Sequence, residues 1–109
     1  MAMKGIKYER YLYNSLRKMG FDVKQQPGSG AGVKKGDLIL EDFLVEVKTT
    51  TKKSYSLNKE VLEKVKGQAF RLAKKPVLIV SYDGDDWVVM RSKDFYEFLA
   101  ELKEKRQEI

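Results

Sequence analysis

The chain has 109 residues, no histidine and no cysteine, and 22 Lys+Arg against 16 Asp+Glu, for a net charge of +6. That length makes one domain, residues 1–109, around a single modest core. The missing side chains exclude disulfides, thiolate chemistry, His-dependent zinc sites and Ser-His-Asp catalysis, so any catalysis must run on carboxylates, lysine, hydroxyls and a metal ion.

The positive excess suits a polyanion binder, although it could equally serve solubility alone. No run of about 18 apolar residues occurs, so no membrane span is expected. The N-terminus lacks the apolar segment of a secretory signal, and a cysteine-free chain fits the cytoplasm.

Helical spacing of Tyr8, Leu12, Ser15, Leu16 and Met19 predicts a first helix over about Ile6 to Met19, stopped by Gly20. Phe21 to Gln25 alternates like a half-buried strand. QPGSGAGVKKG, Gln26 to Gly36, is a loop. Its lysines are followed by Gly36 and a strand rather than by a helix, so it is not a phosphate-binding P-loop. A plain connector and a basic arm reaching a phosphate backbone both remain open for it.

GDLILEDFLVEVKTT, Gly36 to Thr50, reads as two strands joined by a turn centred on Glu41-Asp42. A polar stretch containing Lys52 and Lys53 then leads into a second helix over about Asn58 to Lys75. Its buried stripe is Val61, Val65, Ala69 and Leu72, and Lys64, Gln68, Arg71 and Lys75 form a neighbouring polar stripe. PVLIVSY, from Pro76, is mostly apolar, as in a strand covered on both faces. DGDD marks a turn, WVVMR a return strand, and Asp94-x-x-Glu97 a capping box opening a last helix with Phe95, Phe98, Leu99 and Leu102 on its apolar face. The expected fold is α/β in the α+β sense: a small mixed sheet flanked by helices in the order α-β-β-β-α-β, followed by a C-terminal β-α.

Chemistry concentrates in the hairpin. A turn at Glu41-Asp42 opposes Leu40 to Phe43, Leu38 to Val45 and Asp37 to Glu46. Alternation then makes one face wholly apolar (Leu38, Leu40, Phe43, Val45, Val47) and puts Asp37, Ile39, Leu44, Glu46 and Lys48 on the other. Two opposed carboxylates repel and ask for a cation. Lys48 is one candidate. A divalent metal is a better one, because Mg²⁺ takes oxygen ligands and is commonly held by one or two carboxylates. A solvated face of paired surface charges is the plain alternative.

Asp37, Glu46 and Lys48 resemble the PD-(D/E)xK nuclease signature, with Gly36 in place of the proline that often precedes the Asp. Within that superfamily the chain is most similar to archaeal and phage Holliday junction resolvases. Glu9 lies in YERYLYNSLRKMGF, similar to the family's helical opening. Ser29 lies in GSG shortly before the Asp, and EKVKGQAFRLAKKPVLIV resembles the helix and strand after the hairpin. The likeness covers roughly Lys7 to Trp87.

The resemblance implies a restriction-endonuclease-like core and a Mg²⁺-dependent endonuclease, with Mn²⁺ able to substitute. It also implies a homodimer that nicks four-way DNA junctions symmetrically. Asp37, Glu46 and the Val47 carbonyl would hold the metal, with Glu9 as a further carboxylate. Lys48 would assist the attack of water. Arg10, Ser29, Lys34, Lys35, Lys52, Lys53, Lys64, Gln68 and Arg71 are candidate DNA contacts. The rival readings are a related nuclease acting on flaps, nicks or single strands, and a DNA-binding module without catalysis.

Overall fold

The computed structural model describes residues 5–26 and 38–107. Helix α1 (Gly5–Lys18) is followed by strands β1 (Val23–Gln25), β2 (Leu38–Leu40) and β3 (Phe43–Thr50), helix α2 (Lys59–Arg71), strands β4 (Lys75–Tyr82) and β5 (Asp85–Met90), and helix α3 (Ser92–Gln107). The five strands form one mixed sheet in sequence order. Its pairings are antiparallel except for β3 with β4, the parallel pair that α2 connects. A parallel pair needs such a crossover, and a helix supplies the length. The expected α+β architecture is therefore observed.

The hairpin register is the expected one: Leu38 pairs with Val45, Ile39 with Leu44 and Leu40 with Phe43. The apolar face it creates joins Val23, Val77 and Ile79 in a core onto which Leu12, Tyr13 and Leu16 of α1 pack. Leu44, Leu78 and Val80 point to the opposite face and are also buried. There α2, which contacts β3 and β4, supplies buried Val65 and Ala69. A helix on each side explains why β4 is buried from Pro76 to Ser81.

Several boundaries differ from the sequence expectation. α1 ends at Lys18 and leaves Met19 exposed; Gly20 takes φ 93°, and the Phe21 N–H bonds back to the Leu16 carbonyl. Phe21 thus belongs to the helix terminus, and β1 starts two residues later than its alternation suggests. α2 stops at Arg71, with Leu72 exposed and Ala73 at φ 55°. Lys75 is therefore a strand residue: a residue preceding proline is pushed away from helical geometry, and its N–H bonds to the Asp42 carbonyl.

The expected capping box is absent. Both carboxylate oxygens of Asp94 accept from the Arg91 guanidinium, at 2.8 and 3.0 Å, and Glu97 pairs with Lys75 at 3.3 Å. The Arg91 carbonyl takes the first helical N–H groups instead, from Asp94 and Phe95. The apolar residues of α3 are where the sequence suggests, yet Phe95, Phe98 and Leu99 remain exposed and Leu102 is only half-buried.

Leu38 is completely buried at the centre of the α1-side core. Leu38→Ala should lower the unfolding free energy by about 2–4 kcal/mol, as cavity-forming substitutions do. Urea unfolding followed by circular dichroism would register this as a lower midpoint at unchanged slope.

Candidate active site on the second hairpin strand

Glu46 and Lys48 lie two apart on β3, so both project from the face opposite the α1-side core. Glu46 is 5% exposed and Lys48 is half-buried. Lys48 Nζ stands 3.3 Å from Glu46 Oε1. Burying a carboxylate is costly unless it is paired, and the ammonium beside it answers that cost. Both positions are held in the parallel pairing of β3 with β4, Glu46 in register with Leu78 and Lys48 with Val80. Val47 points the other way, toward the α1-side core.

Glu9 sits half-buried in α1, one residue after Tyr8. Tyr8 is buried, and its hydroxyl donates to Asp86 Oδ2 on β5 at 2.5 Å. Burial, together with the hydrogen bond to Asp86 and its negative charge, holds this phenol protonated far above the usual tyrosine range. The contact ties the first half of α1 to the far strand of the sheet and so fixes where Glu9 is presented. The sequence gives half of this signal, because a tyrosine on a buried stripe needs a partner for its hydroxyl. It does not single out Asp86, 78 residues away.

Of the candidate DNA contacts, Arg10 is exposed on α1, and Lys52 and Lys53 are exposed just beyond β3. On α2, Lys64 and Arg71 are exposed, whereas Gln68 is half-buried with its amide oxygen buried and not hydrogen-bonded among the described residues. Gln68 therefore belongs partly to the packing side of α2 rather than to a purely outer stripe. Asp37, Ser29, Lys34 and Lys35 lie outside the described residues. So does the opposition of Asp37 to Glu46.

The described residues bring together no group of three Asp, Glu, His or Cys side chains suited to a metal. The donor chemistry nevertheless fits a hard divalent ion. Glu46 offers carboxylate oxygens, and the chain contains no histidine or cysteine to favour a softer one.

The model of the archaeal Holliday junction resolvase (Hjc) family matches residues 1–98. The chain belongs to that family. A crossover junction endodeoxyribonuclease Hjc of Methanocaldococcus jannaschii is 36% identical over 86 residues, which cover 75% of this chain and 62% of that protein. Family membership agrees with the resemblance carried by Glu9, Asp37, Glu46 and Lys48. Among the described residues, no helix is long and apolar enough to cross a membrane.

Tyr8→Phe removes the tie to Asp86 without changing ring packing. It should cost about 1.5–3 kcal/mol, the usual value of a hydrogen bond to a charged group, read as a lower urea midpoint. Asp86→Asn, which keeps an acceptor for the hydroxyl, should cost less.

Proposed function

We propose that this chain is a Mg²⁺-dependent endonuclease, carried by a single nuclease domain in the cytoplasm, that resolves four-way DNA junctions by paired symmetric nicks as a homodimer. The observation that carries the reading is the buried Glu46 beside Lys48 on β3, in a chain that belongs to the Hjc family over residues 1–98. The relative's name states that it cuts crossover junctions, and the same substrate class is assigned here.

In this reading Asp37, Glu46 and the Val47 carbonyl hold the ion, and Glu9 contributes a further carboxylate. A divalent ion bound there supplies positive charge against the phosphoryl oxygen and lowers the pKa of water. Lys48 serves the phosphate. Its ammonium, 3.3 Å from Glu46 Oε1, would face the charge that a dianionic transition state gathers. Burial of Glu46 beside Lys48 would hold its carboxylate in place for such an ion. Arg10, Ser29, Lys34, Lys35, Lys52, Lys53, Lys64, Gln68 and Arg71 grip the sugar-phosphate backbone, so the substrate is recognised by branch geometry rather than by base edges. Placing acidic side chains in a DNA-binding surface weakens binding, which argues for a nuclease over a module that only binds.

A labelled four-way junction, a matched duplex and a flap, each incubated with Mg²⁺ or with EDTA, test the assignment. Symmetric paired nicks in the junction alone, abolished by EDTA, are the expected result. Equal cutting of all three substrates would leave a nuclease but remove the resolvase. Binding without cutting in Mg²⁺ or Mn²⁺ would leave only a DNA-binding module. Glu46→Gln should slow cutting at least about 100-fold, the loss of several kcal/mol of charge stabilisation, while binding the junction at least as tightly as the parent chain.

The salt dependence gives a separate check. With roughly six phosphate contacts, affinity should fall on the order of 1000-fold between 50 and 200 mM salt. A flat response in a gel-shift titration would contradict backbone recognition.

A further inference from the structure

The face of the sheet toward α1 is apolar except at one end. Two rows in register across β3, β4 and β5, Val45–Val77–Met90 and Val47–Ile79–Val88, carry only apolar side chains. The next row is Thr49–Ser81–Asp86. Tyr8 of α1 lands on this polar row: its hydroxyl donates to Asp86 Oδ2 and takes a hydrogen bond from the buried Ser81. Among the described residues of α1, Tyr8 alone is buried, so this is the most deeply seated contact of the helix. Tyr8 precedes Glu9 in the chain, and Thr49, at the other end of the row, follows Lys48.

Cohesion does not require a polar row. Apolar packing like that of the two rows beside it is non-directional and would hold α1 while letting it turn or slide. Hydrogen bonds in a buried site fix direction as well. The sizes show why that matters next to Glu9. A carboxylate carried roughly 6 Å from a helix axis moves about 2 Å when the helix turns by about 20°. A functional side chain has to be held within about 0.5 Å of its working position. The other packing residues of α1, Leu12, Tyr13 and Leu16, are half-buried and lie further along the helix, so Tyr8 is the contact that sets the turn bearing Glu9.

We propose that Tyr8 and Asp86, seated with Ser81, are positioning residues for the nuclease centre: they lock α1 at the rotation that presents Glu9 to the divalent ion. This role rests on Glu9 being a carboxylate of the ion site, as read above. Tyr8 and Asp86 act only through Glu9 and touch neither the ion nor the DNA. They stand to the ion as outer partners that orient a ligand, and loss of such a partner weakens metal affinity by about 10–100-fold. A purely stabilising contact differs in a measurable way. Its removal lowers the unfolding midpoint and leaves the metal affinity of the folded chain alone.

Calorimetric titration of the intact chain with Mn²⁺, without DNA, tests this on variants whose circular dichroism spectra match the parent. Glu9→Gln should weaken Mn²⁺ binding, and Tyr8→Phe and Asp86→Ala should each weaken it by about 10-fold or more. Asp86→Asn, which removes the charge but keeps an acceptor for the hydroxyl, should restore most of it. Tyr8→Phe/Glu9→Gln should bind no more weakly than Glu9→Gln alone. The Mg²⁺ concentration for half-maximal junction cutting should shift in the same order. Val23→Ala, in the same core, should lower the urea midpoint and leave Mn²⁺ binding unchanged. Tyr8→Phe and Asp86→Ala chains that unfold more easily yet bind Mn²⁺ like the parent overturn the proposal, because the pair is then structural only. So does a Tyr8→Phe effect that persists in full beside Glu9→Gln, because it does not pass through Glu9. A Glu9→Gln chain that binds Mn²⁺ like the parent overturns the ion-site reading of Glu9 and this role with it, and that single variant tells this failure from the other two.

Discussion

Everything at the candidate site depends on the pairing of Leu38 with Val45. With side chains alternating at period two, this register commits Leu38, Leu40, Phe43, Val45 and Val47 to the α1-side core and sends Glu46 and Lys48 to the other face. A slip of one residue would bury the charges under α1 and expose the apolar set. The turn is pinned accordingly. Glu41 adopts φ 52°, its side chain accepts from the Asp22 N–H at 2.7 Å, and its carbonyl accepts from Lys74 Nζ at 3.1 Å. These contacts join β1, the hairpin turn and the start of β4 into one corner, so the register is supported by three parts of the chain.

Around that hairpin the two helices do different work. α2, the crossover between β3 and β4, covers with Val65 and Ala69 the face of the sheet from which Glu46 projects. α1 covers the opposite side and presents Glu9. Its placement is set by Leu12 and Leu16 against the core, and by Tyr8 against Asp86 at the far strand. α3 is different in kind. It is anchored at its start by Asp94 with Arg91 and by Glu97 with Lys75, and it leaves its aromatic residues in water.

The fold was legible because its signals are local and periodic. The alternation of the hairpin, the apolar run of β4, the Asp-Gly turn before β5 and the helical stripes of α1 and α2 each reflect one element meeting one core. The misread boundaries share a cause. Met19, Phe21 and Leu72 continue an apolar pattern past the point where the backbone turns, at Gly20 and Ala73, and periodicity does not see the turn. Asp94 and Glu97 had the spacing of a capping box, but Arg91 and Lys75 compete for their carboxylates. A hydrogen bond to a full positive charge wins over one to a backbone N–H.

By itself, the sequence determined which residues could carry chemistry. Without histidine or cysteine, Glu46 and Lys48 at strand spacing were the natural centre of any hydrolytic site, and short-range alternation already placed them on one face. Tertiary structure alone decided that Glu46 is buried and ion-paired, that Tyr8 reaches Asp86, and that the apolar faces of β5 and α3 stay uncovered. The physical reason is that burial and long-range pairing depend on which elements pack together. Residues 78 apart carry no common period, and an apolar stripe reads the same whether its partner is the chain's own core or another molecule.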